Sequence, residues 1–531
     1  MAYHLNRGDG KGEVRPVSSF LSSELTQGER ICVVVGRTRH KMVQIEIQEA
    51  AKHGARLIEL RLDFLAKPPD FRRLMAARPC AMVATIRRRQ DGGRWSGTEE
   101  DRQKLLRQAI TTGFDWVDLE TDIAEDIRRF RNVKRIVSYH NLREVPDDLE
   151  IIHERMCGQD ADVVKLAVAA HHPEDNLRVL RLVAESNVPT IAFCTGDLGI
   201  PSRILCGKFG APFTYAAFNR ERGIAPGILS YEELKRVYRY DEIKTDTKVY
   251  GVIGDPVAHS LSPLIHNTSF HQLAIDAVYV PFRVPRGGLA DFLKSFDTLP
   301  VHGYSVTIPH KEAAANLAAH RDPSVASIHA ANTLVRGDEG LTAYNTDFQA
   351  ARESLLEGLP LSADGEPPAL AGRVALVLGA GGVARAMAHA LQREGVIVTI
   401  ANRTPEKAHR LAEEVGCRAV DWAARHSVIC ELLINCTSVG MHPNLDESPV
   451  HNSFLKPGLI VMECVYTPEQ TLLVKDARLR HCHVITGVDM FVRQAALQFE
   501  RFTGQRAPLD LMRTTVKRAL SPIVLRGEDE L

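Results

Sequence analysis

From residue 31 onward, strand-sized apolar runs alternate with helix-length stretches of mixed polarity. The runs are ICVVVG (31–36), RLIELRLDFL (56–65), CAMVATIRR (80–88), DWVDLETD (115–122), RIVSYHN (135–141), DVVKLAVAA (162–170), PTIAFCTG (189–196) and APFTYAAFN (211–219). They are rich in Val, Ile and other strand formers and recur mostly every ~20–30 residues, as consecutive βα units do. Eight such units across residues 31–240 predict a small (β/α)8 barrel. Active residues of that fold gather at the C-terminal ends of the strands, and here those ends carry Glu59, Arg61, Asp63, Arg87, Glu120, His140 and Lys165. So many ionisable groups on one rim predict a site and not merely a solvated edge.

After YEELKRVYRYDEIKTDTK (231–248) the pattern restarts with the strand KVYGVIG (248–254) and continues through YSVTIPHK (304–311). Further on, RVALVLGAGGVARAMAHAL (373–391) and VIVTIANR (396–403) read as strand, glycine turn, helix, strand, which predicts a dinucleotide-binding βαβ unit. A Pro/Gly-containing stretch, 357–372, precedes it. The expected fold class is α/β throughout, a barrel followed by a two-domain dehydrogenase-like half. No tandem repeat of 20–50 residues is present beyond the βα period itself.

Composition narrows the picture. The 531 residues leave room for two to four domains, and 44% apolar with 25% charged residues excludes disordered, collagen-like and coiled-coil chains. Sixty-six basic side chains balance sixty-six acidic ones, so no nucleic-acid partner is expected. Ten scattered cysteines contain no C-x-x-C pair and read as thiols in a reducing compartment. His481, Cys482 and His483 are adjacent and point in different directions, so no metal is expected. No apolar run approaches the ~20 residues of a membrane span. Residues 1–30 lack an apolar segment and mix Arg7, Lys11 and Arg15 with Asp9, Glu13, Glu24 and Glu29, which predicts a flexible tail on a soluble, cytoplasmic protein.

Lys165 lies in the apolar strand VVKLAV, where an ammonium must find a partner or lose its proton. A neutral amine adds to a carbonyl and yields a protonated Schiff base, an electron sink. His140, ending the preceding strand, is placed to exchange protons beside it. The order ELRLDFL, TIRR…GG, SYHN, VVKLA, SR…FG and APG resembles type I 3-dehydroquinate dehydratase over roughly residues 30–240. The resemblance implies Lys165 as the Schiff-base lysine, His140 as general acid/base, and Glu59, Arg61, Arg87 and Arg203 as holders of the substrate's hydroxyls and carboxylate. Asp91, before Gly92 and Gly93, falls where the family often has a glutamate that orients the histidine. The chain departs from the family at Val33, where a serine is usual, and at Ile224 and Ile228, which replace a serine and a glutamine of the closing loop. Isoleucine donates no hydrogen bond, so a weaker or altered clamp is expected.

In the second half, Ser260 and Ser262 of HSLSP sit two apart, as two hydroxyls meeting one carboxylate would. Thr307 and Lys311, Asn332, and Asp347 follow in TIPHK, ANT and NTD. A Lys/Asp pair beside a nicotinamide suits alcohol–ketone chemistry, which must move a proton at oxygen as hydride moves at carbon. Gly379, Ala380, Gly381, Gly382, Val383 and Ala384 fit G-x-G-x-x-G/A in its confirming context between strand and helix. Asn402, Arg403 and Thr404 stand where an NAD enzyme carries an acid, and Arg403 can pair with a 2′-phosphate, so NADP is the expected cofactor. Residues 248–520 resemble shikimate dehydrogenase through HSLSP, SVTIPHK, ANT, NTD, GAGGVARA, NRT, NCTSVGM, VYTP and VRQAALQFE. By that resemblance Ser260, Ser262, Thr307, Asn332, Asp347, Tyr466 and Gln494 bind shikimate, and Lys311 and Asp347 form the catalytic pair. Thr437, Ser438, Gly440, Met441 and Gly487 face the cofactor. Ser305, Glu463 and Gln470 are minor departures from the family's usual residues.

Together the resemblances imply a shikimate-pathway enzyme with two activities, a lyase and an oxidoreductase, acting on small molecules and on neither nucleic acid nor membrane. The implied layout is a tail (1–30), a dehydratase barrel (31–240), a substrate domain (248–345), an NADP domain (346–489) and C-terminal helices (490–525) returning to the substrate domain. Two alternatives stay open: a quinate/shikimate dehydrogenase, and a barrel that binds without catalysing.

Overall fold

The computed structural model describes residues 28–76, 78–223, 225–258, 260–359 and 369–521. The chain forms two compact units, residues 1–247 and 248–531. Most of the expected tail, Ile224, and the middle of the 357–372 stretch lie outside the described residues.

The first unit holds eight strands, β1 (Ile31–Val35), β2 (Leu57–Arg61), β3 (Ala81–Thr85), β4 (Trp116–Glu120), β5 (Lys134–Asn141), β6 (Val163–Ala169), β7 (Thr190–Thr195) and β8 (Thr214–Ala217). They pair in parallel in the order β7-β6-β5-β4-β3-β2-β1-β8, the nearly closed barrel that the spacing predicts. Across the seam between its two end strands, Phe193 and Tyr215 meet edge-on with centroids 6.2 Å apart.

Strand alternation sorts the interior into layers. Leu57, Val83, Trp116, Ile136, Val163 and Phe213 build an apolar floor. Two residues further along the same faces come Glu59, Thr85, Asp118, Ser138, Lys165 and Tyr215, so the upper layer is polar. Val33 lies between Cys32 and Val34, which join the interior cluster, and therefore points the other way into buried packing. A hydroxyl at that position could not reach the site, so this departure does not bear on the dehydratase. Arg30, assigned to the tail, is instead anchored: its guanidinium donates to the carbonyls of Ile243 (2.7 Å) and Gly207 (3.0 Å), tying the barrel's first strand to its last segment.

The second unit contains two sheets. β9 (Lys248–Gly254), β10 (Ala277–Arg283), β11 (Val301–Val306), β12 (His320–Arg321), β13 (Thr333–Gly337) and β14 (Gly340–Tyr344) form a mixed sheet ordered β10-β9-β11-β13-β14-β12. β15 (Val374–Leu378), β16 (Ile397–Asn402), β17 (Arg418–Asp421), β18 (Leu432–Asn435), β19 (Ile460–Glu463) and β20 (His483–Ile485) form a parallel sheet ordered β17-β16-β15-β18-β19-β20. That is the doubly wound dinucleotide order, whose ligand crevice opens where the order reverses, between β15 and β18. Val488, Val492 and Phe499 of helix Gly487–Thr503, with Met512 and Val516 of helix Leu509–Leu520, share one core with Tyr250, Ile265, Phe270 and Tyr279 of the mixed-sheet half. Among the described residues no helix is long and apolar enough to cross a membrane.

Candidate active sites

The barrel's polar layer is an ion network. Lys165 Nζ lies 3.1 Å from Asp118 Oδ2 and 3.9 Å from Glu59 Oε2, over the ring of Tyr215. Arg87 donates to Asp118 (2.6 Å), Glu120 (2.9 Å) and the Ser138 hydroxyl (2.9 Å), and Arg102 completes Glu120 at 2.6 Å. Arg87 and Lys165 together hold the Asp118 carboxyl far below the usual range and keep it ionised. Each charged group of this network is paired, which offsets the cost of burying it.

β5 and β6 pair Ser138 with Lys165 and His140 with Ala167, so His140 and Lys165 share the interior face one step apart. Burial, with the Arg87 and Lys165 cations nearby, pushes the imidazole well below its ordinary pKa, which leaves a neutral base near pH 7. Its Nδ1 is buried without a partner. Asp91 does not supply one: its carboxylate accepts from Arg88 Nε at 2.6 Å, because the turn that carries it also carries Arg88. The implied orientation of the histidine by Asp91 is thus not present in this structure.

The four residues implied for substrate differ in how free they are. Arg61 is bound bidentately by Asp63, at 2.9 Å to each oxygen, and Arg87 is committed to the network. Arg203, on helix Ile200–Leu205, is buried over the Phe193 ring, its Nε unpartnered. Lacking a carboxylate neighbour, it is pulled down by burial to about 10. It is a cation waiting for an anion. Ile228 packs against the barrel's interior cluster, and Gly196 N–H holds its loop through the Pro226 carbonyl at 3.1 Å. Sequence reasoning missed Asp118 and Ser138; the period-two continuation of the interior faces from Trp116 and Ile136 is the signal that could have found them.

In the second unit a cavity of about 350 Å³ is lined by Ser260, Ser262, Thr307, Lys311, Asn332, Asp347, Tyr466 and Gln494. Every residue implied for shikimate therefore converges on one space. Lys311 opens helix Lys311–Leu317, and its Nζ donates to Asp347 Oδ2 at 2.5 Å. Asn332 is braced on both sides of its amide: Nδ2 donates to Thr346 Oγ1 at 2.9 Å, and Oδ1 accepts from Thr346 N at 2.8 Å. Tyr466 stacks on Phe491 at 4.3 Å. Ser305, Cys464 and Gln498 line the same cavity and were not assigned from sequence.

Val383 and Gly487 also face this cavity, so it opens toward the dinucleotide crevice. The residues there fit a dinucleotide. Gly379 has φ +115°, and a side chain at Gly381, before helix Gly382–Arg393, would meet nothing within 4 Å, which leaves room for a pyrophosphate at the helix N-terminus. A Cβ at Gly487 would strike the Val465 carbonyl at 2.5 Å, so only glycine lets the helix start this close to β19. Arg403 is exposed and has no ion pair among the described residues, and Asn402 caps its own turn through the Thr404 carbonyl at 3.0 Å. Thr437 is fixed by Asn435 Oδ1, Ser438 and Met441 are exposed, and Gly440 turns the loop at φ +92°. Glu463 pins this loop from below by accepting from Asn435, Val465 and Thr471, and its burial raises it to about 7. His483 serves the Gly358 carbonyl and Cys482 the Lys456 carbonyl, so two side chains of the His481–His483 run are spent on backbone.

Comparison with known proteins agrees with this division. The family model for type I 3-dehydroquinase matches residues 31–245, and that for the shikimate dehydrogenase substrate-binding domain matches 252–334. Models for shikimate/quinate 5-dehydrogenase and the shikimate 5′-dehydrogenase C-terminal domain match 363–448 and 487–517. The chain is 37% identical over 503 residues to the chloroplastic bifunctional 3-dehydroquinate dehydratase/shikimate dehydrogenase of Arabidopsis thaliana, covering 91% of this chain and 83% of that one. Its second half is 39% identical over 290 residues to shikimate dehydrogenase (NADP(+)) of Moorella thermoacetica, covering 52% of this chain and 96% of the relative. With both halves matched in one chain and in the same order, the protein belongs to the family of bifunctional 3-dehydroquinate dehydratases/shikimate dehydrogenases.

Proposed function

We propose that the two activities of this enzyme, dehydration of 3-dehydroquinate and NADP-dependent interconversion of 3-dehydroshikimate and shikimate, are carried by Lys165 with His140 and by Lys311 with Asp347. In the barrel, the Lys165 amine adds to the substrate ketone, and loss of water leaves an iminium linked to the lysine. Asp118 and Glu59, the anions beside Nζ, stabilise that cation. Neutral His140 takes the proton next to the iminium carbon and returns it to the departing hydroxyl. Arg203 pairs with the substrate carboxylate, and hydrolysis frees the enone.

In the dehydrogenase, the Ser260 and Ser262 hydroxyls hold a carboxylate, and Lys311 with Asp347 holds or releases the proton at the oxygen that changes between alcohol and ketone. When bound, the cofactor would supply the hydride as NADPH or accept it as NADP+, with Gly379–Ala384 and Arg403 as its holders. All ten cysteines are free, which supports a reducing compartment, the cytoplasm.

The observation that carries the dehydratase reading is Lys165, buried between two carboxylates with an uncharged histidine on the next strand. Borohydride reduction in the presence of 3-dehydroquinate should leave a covalent adduct on Lys165, read by intact mass and peptide mapping, and Lys165→Ala should form none. An active dehydratase that never yields this adduct would refute the mechanism.

A further inference from the structure

A buried hydrogen-bond chain runs beneath the dehydrogenase cavity, and its polarity follows from one fixed end. Gln498 Nε2 reaches the Asn332 backbone carbonyl at 2.9 Å, and a carbonyl can only accept. The amide nitrogen must therefore face Asn332, which turns Gln498 Oε1 toward Ser305 at 2.6 Å. Ser305 has a single proton and spends it there. The Tyr279 phenol, 2.5 Å from Ser305 Oγ, must then be the donor of that pair. Tyr279 is fully buried on β10, its ring stacked on His266 at 4.3 Å and 10°, with the Ser262 hydroxyl beside its oxygen.

Two of the Ser305 oxygen's three hydrogen-bonding positions are thus filled by protein. The third is a lone pair on a residue that lines the cavity. That position can accept a hydrogen bond and cannot give one.

We infer that Tyr279 is a positioning residue of the dehydrogenase: Gln498 takes the Ser305 proton, which leaves that hydroxyl only lone pairs to offer, and Tyr279, by donating to the same oxygen, holds it in place, so this wall of the cavity reads a ring hydroxyl of the ligand and not a ketone or carboxylate. The inference rests on the cavity being the shikimate site.

A double-mutant cycle on the full chain tests it, with shikimate and NADP+ as substrates. Tyr279→Phe should raise KM for shikimate about fivefold to tenfold, the worth of one neutral hydrogen bond, with kcat within about twofold. Ser305→Ala should raise it at least as much, and adding Tyr279→Phe to Ser305→Ala should change KM by less than about twofold. KM for NADP+ and the dehydratase rate should not move. Additive effects, a loss confined to kcat, or an unchanged KM would overturn the inference while leaving the function intact. A wild-type chain that does not oxidise shikimate would instead remove the reading on which it rests. Should Tyr279→Phe fail to accumulate, the three shikimate analogues lacking one ring hydroxyl decide the matter. One of them should bind wild type and Ser305→Ala equally, and three analogues that all still prefer wild type would refute the hydroxyl reader.

Discussion

Lys165 and Asp118 sit opposite one another across the barrel's polar layer, Nζ 3.1 Å from Oδ2, and Arg87 grips the same carboxylate oxygen at 2.6 Å. One anion therefore bridges two buried cations, with Glu120 on the far side of Arg87 and Glu59 3.9 Å from the amine, so Asp118 is the nearer of the two carboxylates beside Lys165. Asp118→Asn keeps the shape and removes the charge. It should lower dehydratase kcat by roughly 10- to 100-fold, since a hydrogen bond to a charged group is worth about 1.5–3 kcal/mol. Shikimate oxidation should be unaffected, and steady-state assay of both reactions on one preparation checks this. Wild-type dehydratase turnover would show that the iminium needs no help from Asp118.

The half-buried, cation-flanked His140 loses its proton more readily than a free imidazole, whose pKa is 6.5. A depressed value keeps the basic form populated as pH falls. Dehydratase kcat should hold steady down through pH 6.5 and decline only at lower pH. A decline centred at or above that value would mean that the histidine is not shielded as the structure has it.

Lys311 lines the cavity and donates to Asp347, and in the proposed role its ammonium would meet charge developing on the reacting oxygen. Its removal should therefore appear in turnover more than in binding. Lys311→Ala should reduce kcat for shikimate oxidation by roughly 100-fold or more, with a far smaller change in KM. A steep rise in KM at near-normal kcat would make Lys311 a carboxylate anchor instead.

Arg403 is exposed beside the dinucleotide crevice, with no ion pair among the described residues, and so is available to a phosphate. Arg403→Ala should raise KM for NADP+ about tenfold or more and leave NAD+ kinetics close to unchanged, because only the 2′-phosphate contact is lost. Equal losses with both cofactors would assign Arg403 a structural role.

Much of this was readable in the sequence, and the reasons are local. The barrel strands announce themselves because β-rich runs recur at the βα period, and the glycine turn at 379–382 does so because Gly379 takes a left-handed backbone and Gly381 leaves open space before the helix for a ligand. Lys165 stands out because a charge inside an apolar strand is anomalous, with His140 ending the strand before it, whereas Lys311 and Asp347 are legible through the short motifs TIPHK and NTD that carry them. Partnership is another matter, since it depends on strands brought together from far apart. Asp91 has the sequence position of a histidine's partner, yet the turn that carries it gives its carboxylate to Arg88. Val33 looks like a lost hydroxyl until the barrel's alternation turns it outward. Arg87 and Arg203 are both strand-end or helix arginines on the page, but packing surrounds one with carboxylates and leaves the other with none. Which groups are ionised, which are spent, and which way the Tyr279–Ser305–Gln498 chain runs was decided only by tertiary structure. Hydrogen bonds and charge balance are properties of neighbours in space, and the sequence orders neighbours only along the chain.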